Sequence, residues 1–255
     1  MKGRKALFGA KDLGSAGVIL PIAKIWREAG GESVVVVEGL ASAKFLEAGF
    51  VPFFQGSENF QTAPFTLDVA ATLKTVKPDV VILCGSEPIN LERLIAKEAV
   101  ATRIPLVAVD DLWGGFKRLE AKPSLVLTFD SLGQKMASGV PSVVVGNPGI
   151  PSDEKIAMLF SKRATVRSLI TESNKKIIAY VSGDRGSTEE EIELLLECLA
   201  LTPRPWKLSV AFHPKWLRDY GERWKKMLDQ VDDIAYTTTP VFRMSSLKVP
   251  AVSDA

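Results

Sequence analysis

The chain is poor in the residues that carry most metal and nucleophile chemistry. It has one histidine, His213, and two cysteines, Cys84 and Cys198, in 255 residues. The cysteines lie far apart and form no C-x-x-C pair, so with a single histidine the sequence argues against a zinc site. Both sit in apolar stretches, which predicts buried, inert thiols. A dominant charge is missing as well: 32 basic residues face 30 acidic ones, a net charge of +2. No basic tract carries interleaved aromatics of the kind that stacks bases, so no nucleic-acid partner is expected. No run approaches the roughly 18 apolar residues of a membrane span. The basic start, MKGRKALFGA, is broken at once by Lys11 and Asp12, unlike a signal peptide. There is no G-x-S-x-G and no second histidine from which to build a triad. These absences predict a soluble, cytoplasmic protein, with peripheral membrane contact left open.

What is present is periodicity. Hydrophobic residues make up 46% of the chain, enough for a substantial core. Short β-branched runs alternate with helical patterns: KALFGA, SVVVVEG, DVVILCG, PLVAVDD, SLVLTFD and SVVVG read as strands, with amphipathic segments between them. In GVILPIAKIWREAGG the expected inward face is Val18, Ile22, Ile25 and Trp26. Strands apolar on both faces, joined by helices, predict an α/β fold with a doubly wound parallel sheet. GNPGIPS breaks the pattern at about residue 150. The pattern then restarts with KKIIAYVSG, a helix with apolar Ile192, Leu195, Leu196 and Leu199, and KLSVAFHP. The expectation is a Rossmann-like domain over 1–150, a helical connector over 151–173 and a second, partial Rossmann-like domain over 174–255. The second half ends on a strand, VPAVSDA, with no helix after it, and so reads as truncated.

In open parallel sheets ligands bind beyond the carboxyl ends of the strands, so the residues after each strand are the candidates. After the first strand, Gly14, Ser15 and Gly17 lead into a helix N-terminus and would offer backbone N–H groups to an anion or a sugar hydroxyl. They do not make G-x-G-x-x-G or a Walker sequence. Asp12 beside them is a candidate base. Asp110 and Asp111 follow the fifth strand, facing opposite ways if the strand continues, and Trp113 with Gly114-Gly115 would form either a flexible lip or a turn closing the strand. In the second half Gly183, Arg185, Gly186 and Ser187 lie between a strand and a helix, where an arginine can pair with phosphate. Ser187 and Glu190 also fit a capping box, so a purely structural role stands beside the ligand role. His213 and Lys215 follow the next strand and would hydrogen-bond a diphosphate or supply an acid.

Two Rossmann-like halves, each with a glycine-rich turn after its first strand, together with VAFHPK, resemble the GT-B superfamily of nucleotide-sugar glycosyltransferases and UDP-N-acetylglucosamine 2-epimerases. VVVGNPGIPSDE resembles that family's interdomain crossing, and IIAYVSGDRGSTEEE its diphosphate-facing strand–loop–helix. The resemblance implies a metal-independent glycosyltransferase with no cofactor beyond its substrate, a nucleotide-diphosphate sugar, in surface polysaccharide or glycan synthesis. The donor would be held by Gly183, Arg185, Gly186, Ser187, His213 and Lys215. A glycan or lipid-linked acceptor would lie near Gly14, Ser15 and Gly17, with Asp12 or Asp111 as base and His213 as a second catalytic group. A 2-epimerase-like enzyme and a non-catalytic nucleotide-sugar-binding remnant are the alternatives. The family's nucleotide-sugar loop and its glutamate would follow Ala255.

Overall fold

A computed structural model describes residues 2–55, 67–85, 91–150, 153–170, 175–181, 188–201, 206–211 and 234–236. Gly183, Arg185, Gly186, Ser187, His213 and Lys215, and the VPAVSDA stretch, lie outside the described residues. The chain divides into two compact units, Met1–Ile150 and Pro151–Ala255.

In the first unit the strands are β1 (Lys5–Ala10), β2 (Glu32–Val37), β3 (Phe54–Gln55), β4 (Val80–Cys84), β5 (Leu106–Val109), β6 (Leu125–Thr128) and β7 (Ser142–Val144). They form one sheet in the order β3-β2-β1-β4-β5-β6-β7, and every pairing is parallel. The helices are α1 (Leu13–Glu28), α2 (Ala41–Glu47), α3 (Val69–Val76), α4 (Leu91–Ala101) and α5 (Ser131–Met136), with a 3₁₀ helix at Gly115–Leu119. β1 pairs with β2 on one side and β4 on the other, so the winding reverses between β1 and β4. This is the doubly wound parallel sheet expected from the alternating pattern.

Because crossover helices cover both faces, the central strands are apolar throughout, and two separate cores result. One packs α1 and α2 on Phe8, Val35, Val37 and Val109. The other packs α3, α4 and the 3₁₀ helix on Leu7, Val81, Leu83 and Leu106. Alternate residues of β1, Leu7 and Phe8, therefore enter opposite cores, as the pleat requires.

Two expectations for this unit are corrected. Helix α1 begins at Leu13 and not at Gly17, because Asp12 caps it; Gly14, Ser15 and Gly17 are thus in its first turns rather than in a loop. Of the expected inward face, Val18 is buried and Ile22 and Trp26 pack against the core, with Ile19, Leu20 and Ala23 beside them, while Ile25 is exposed.

In the second unit α6 (Asp153–Ser161) and α7 (Arg163–Ile170) precede β8 (Lys176–Val181), α8 (Thr188–Ala200), β9 (Trp206–Ala211) and β10 (Ile234–Tyr236). The strands pair in parallel, in the order β10-β9-β8. Ile192 and Leu199 of α8 pack on Trp206, Leu208 and Val210, with Leu195 and Leu196 at the margin. The helical period placed this face correctly. Cys198 lies on the other side of α8 and is exposed, against the expectation of a buried thiol, whereas Cys84 is buried. Among the described residues no helix is long and apolar enough to cross a membrane.

Candidate functional site

Parallel strands place all their carboxyl ends on one edge of the sheet, and the crevice between β1 and β4 opens where the winding reverses. The polar residues of the first unit gather there. β1 runs into Lys11 and Asp12, β2 into Glu38, β4 into Gly85, β5 into Asp110 and Asp111, and β6 into Phe129 and Asp130.

Asp12 is the N-cap of α1. Its Oδ1 accepts from the Ser15 backbone N–H at 2.7 Å, while the Asp12 N–H donates to Ser15 Oγ at 3.3 Å. This reciprocal box satisfies two backbone donors at the helix start. Ser15 is consequently buried and turned inward. Gly14 stays exposed, and a Cβ there would come within 3.3 Å of Asp12 Oδ1 and 3.9 Å of Asp111 Oδ2. Gly17 lies against Gly149, whose added Cβ would stand 3.3 Å from the Gly17 carbonyl oxygen, and near the Lys44 ammonium.

Glu92 is fully buried in the first turn of α4, and its Oε1 accepts from the Lys11 backbone N–H at 2.8 Å. That bond bridges the end of β1 and the helix after β4. Lys11 itself is almost completely buried, as is Glu38 at the end of β2. Periodicity could not have singled out these three. Each reads as an ordinary polar residue closing a strand or opening a helix.

Asp110 and Asp111 do not lie along a strand, since β5 ends at Val109, and they divide their work. Asp110 is buried and accepts from the Phe116 N–H at 2.7 Å and the Gly114 N–H at 3.2 Å. It thereby organises the 3₁₀ helix. Of the two expectations for Trp113–Gly115, the structure shows the turn, which leads into that helix with Gly114 at φ 78°. Burial raises the Asp110 carboxyl above its usual range, against the pull of those two amides. Asp111 Oδ2 lies near Gly14, 3.9 Å from where a Cβ there would stand. Its Oδ1 is buried beside Gly115 and has no hydrogen-bond partner among the described residues. Burial also raises its carboxyl, opposed chiefly by the nearby Arg118 and reinforced by Asp12 and Asp110.

Cys84 closes β4 amid this set. Burial first, then the charges of Asp111, Glu92, Asp12 and Asp110, hold its thiol well above the ordinary range. The sulfur therefore stays protonated and is no nucleophile. Among the described residues no three His, Cys, Asp or Glu side chains are grouped to hold a metal ion. The structure thus brings Asp12, Asp111, Gly14 and Ser15 together at one crevice and adds Lys11, Glu92 and Asp110. What the crevice can do chemically is accept hydrogen bonds, with Asp110 and Asp111 held less acidic than free carboxyls by burial.

No family model and no curated protein sequence matches the chain. Solved structures do. The Staphylococcus aureus MnaA–UDP complex aligns with a TM-score of 0.65 at 16% identity, covering 91% of this chain and 68% of that one. A Listeria monocytogenes structure described as a UDP-N-acetylglucosamine 2-epimerase aligns at 0.68 and 13%, covering 92% and 69%. Anabaena HepE in complex with UDP and glucose aligns at 0.60 and 18%, covering 91% and 68%. At these identities the likeness shows the fold alone.

Proposed function

We propose that the chain acts on a nucleotide-diphosphate sugar, as a GT-B-type glycosyltransferase of the cytoplasm that needs no metal. One observation carries this reading: over nine-tenths of the chain shares its fold with proteins solved as complexes with UDP, one of them with glucose as well. On this reading the second unit holds the diphosphate. The stretch between β8 and α8, with Gly183, Arg185, Gly186 and Ser187, would supply amides and a guanidinium, and His213 and Lys215, which follow β9 in sequence, further donors. Basic groups and backbone amides then balance the leaving diphosphate without a cation. The first unit takes a glycan or lipid-linked acceptor at its strand ends.

Between the two candidate bases, Asp111 is better suited. One oxygen of Asp12 is committed to the Ser15 amide. Asp111 has Oδ2 near Gly14, and burial raises its carboxyl above the usual range, which makes it a stronger base than a solvated aspartate.

A 2-epimerase-like reaction is the second reading. The likeness to a structure described as a UDP-N-acetylglucosamine 2-epimerase favours it. Incubation with UDP-N-acetylglucosamine and UDP-glucose, followed by proton NMR, separates the readings. Free UDP appearing with an acceptor present supports transfer, and a new 2-epimer supports the second reading. Micromolar UDP binding that His213→Ala weakens supports the donor site. Absence of UDP binding at millimolar concentration sinks both readings and leaves a non-catalytic remnant.

A further inference from the structure

Trp113 is half exposed, yet it is held firmly. Its indole N–H donates to both oxygens of Asp130, at 3.2 Å to Oδ1 and 3.0 Å to Oδ2. Its ring leans on Phe129 with centroids 5.9 Å apart. Asp130 is anchored in turn as the N-cap of α5, where Oδ1 accepts from the Gly133 N–H at 2.7 Å. The network fixes the ring while leaving 53% of the residue exposed. Fixing an aromatic face in advance is how a binding surface lowers the entropy cost of ligand capture.

The surroundings state what the face would take. Asp111, two residues earlier, has its Oδ2 near the exposed Gly14 at the start of α1. Asp130 stands at the ring's edge. Two cations of the 3₁₀ helix, Arg118 and Lys117, act on Asp111 and Asp110 respectively. An apolar plane flanked by hydrogen-bond acceptors matches a pyranose ring, which has an apolar C–H face and a rim of hydroxyl donors. A nucleobase would also stack, but its diphosphate would then meet the carboxylates of Asp111 and Asp130.

We propose that Trp113 is the stacking platform for a sugar ring at the first unit, with Asp111 accepting a hydrogen bond from one of its hydroxyls. This rests on the reading of the chain as a sugar-handling enzyme and names where the sugar's apolar face sits. The test uses the full chain labelled with 5-fluorotryptophan, the Trp113 resonance being assigned through Trp113→Phe. Glucose, galactose, mannose, N-acetylglucosamine and UDP are titrated separately.

At least one free sugar is expected to move the Trp113 resonance, and UDP is not. Trp113→Ala should weaken that sugar's binding about tenfold or more, as removal of a central aromatic anchor does. Trp113→Phe, which keeps a ring and loses the N–H, should stay within about threefold of the parent. UDP affinity should be the same in all three proteins. The proposal is overturned if no sugar moves the resonance up to its solubility limit, if UDP alone moves it, or if Trp113→Ala binds the sugar as the parent does. A chain whose Trp113 responds to sugar but which binds no UDP would keep the platform and lose the nucleotide-sugar reading, so the two failures are distinguishable.

Discussion

Asp12 shows how one carboxylate can look catalytic in sequence and be structural in space. As the N-cap of α1 it satisfies the Ser15 amide. Asp12→Ala should therefore cost about 0.5–2 kcal/mol of stability, while Asp12→Asn, an equally good cap, should cost little. Urea unfolding reads both. The same pair separates roles: if Asp12 were the base, Asn would abolish turnover while leaving the helix capped. Asp111 should behave in the opposite way. Its carboxyl is raised above 3.8 by burial, so the folded protein binds a proton more readily there than the unfolded chain does. Stability from this group is then lowest at neutral pH. It recovers as pH falls through the raised value toward 3.8. Asp111→Asn should accordingly be more stable than the parent at pH 7, with the advantage shrinking toward pH 4. A constant difference between those pH values would refute the assignment.

At the scale of elements, the 3₁₀ helix Gly115–Leu119 positions the crevice, and Gly85 lets it approach. A Cβ on Gly85 would lie 3.0 Å from the Gly115 carbonyl oxygen and 3.0 Å from Arg118 Cβ. Neither neighbour can swing away, because one is backbone and the other the root of a side chain. Gly85→Ala should push the 3₁₀ helix off β4, at about 1–3 kcal/mol by urea unfolding, and disturb the Asp110 and Asp111 carboxyls that depend on it. None of this was legible in the sequence, since Gly85 looks like any glycine ending a strand. The elements themselves were legible because buried parallel strands are apolar on both faces, and runs such as VVILC and LVAV leave no other reading. The start of α1 was misplaced for a local reason. GSAG carries weak helix formers, but the Asp12–Ser15 box overrides their propensity. Glu92 and Lys11 were missed because their meeting depends on the reversal of winding between β1 and β4, a long-range fact that no local pattern encodes.

At the scale of the molecule, the first unit contains everything it needs to fold. Both cores flanking its seven-stranded sheet are built from residues between Ala6 and Val140, and the strand order closes within Met1–Ile150. A sheet with both faces covered and a core of that extent is the usual definition of an autonomous domain. A fragment of residues 1–150 should therefore be monodisperse and show cooperative urea unfolding, with Asp12→Ala and Gly85→Ala lowering its stability as they do in the whole chain. It also separates the two ligand assignments by position. The Trp113 platform and the Asp111 acceptor lie within the fragment, whereas Gly183, Arg185, Ser187 and His213 do not. The labelled fragment should thus retain the Trp113 response to a free sugar and have no measurable affinity for UDP. UDP binding by the fragment would move the nucleotide to the strand ends of the first unit and displace the assignment of the diphosphate to the stretches after β8 and β9.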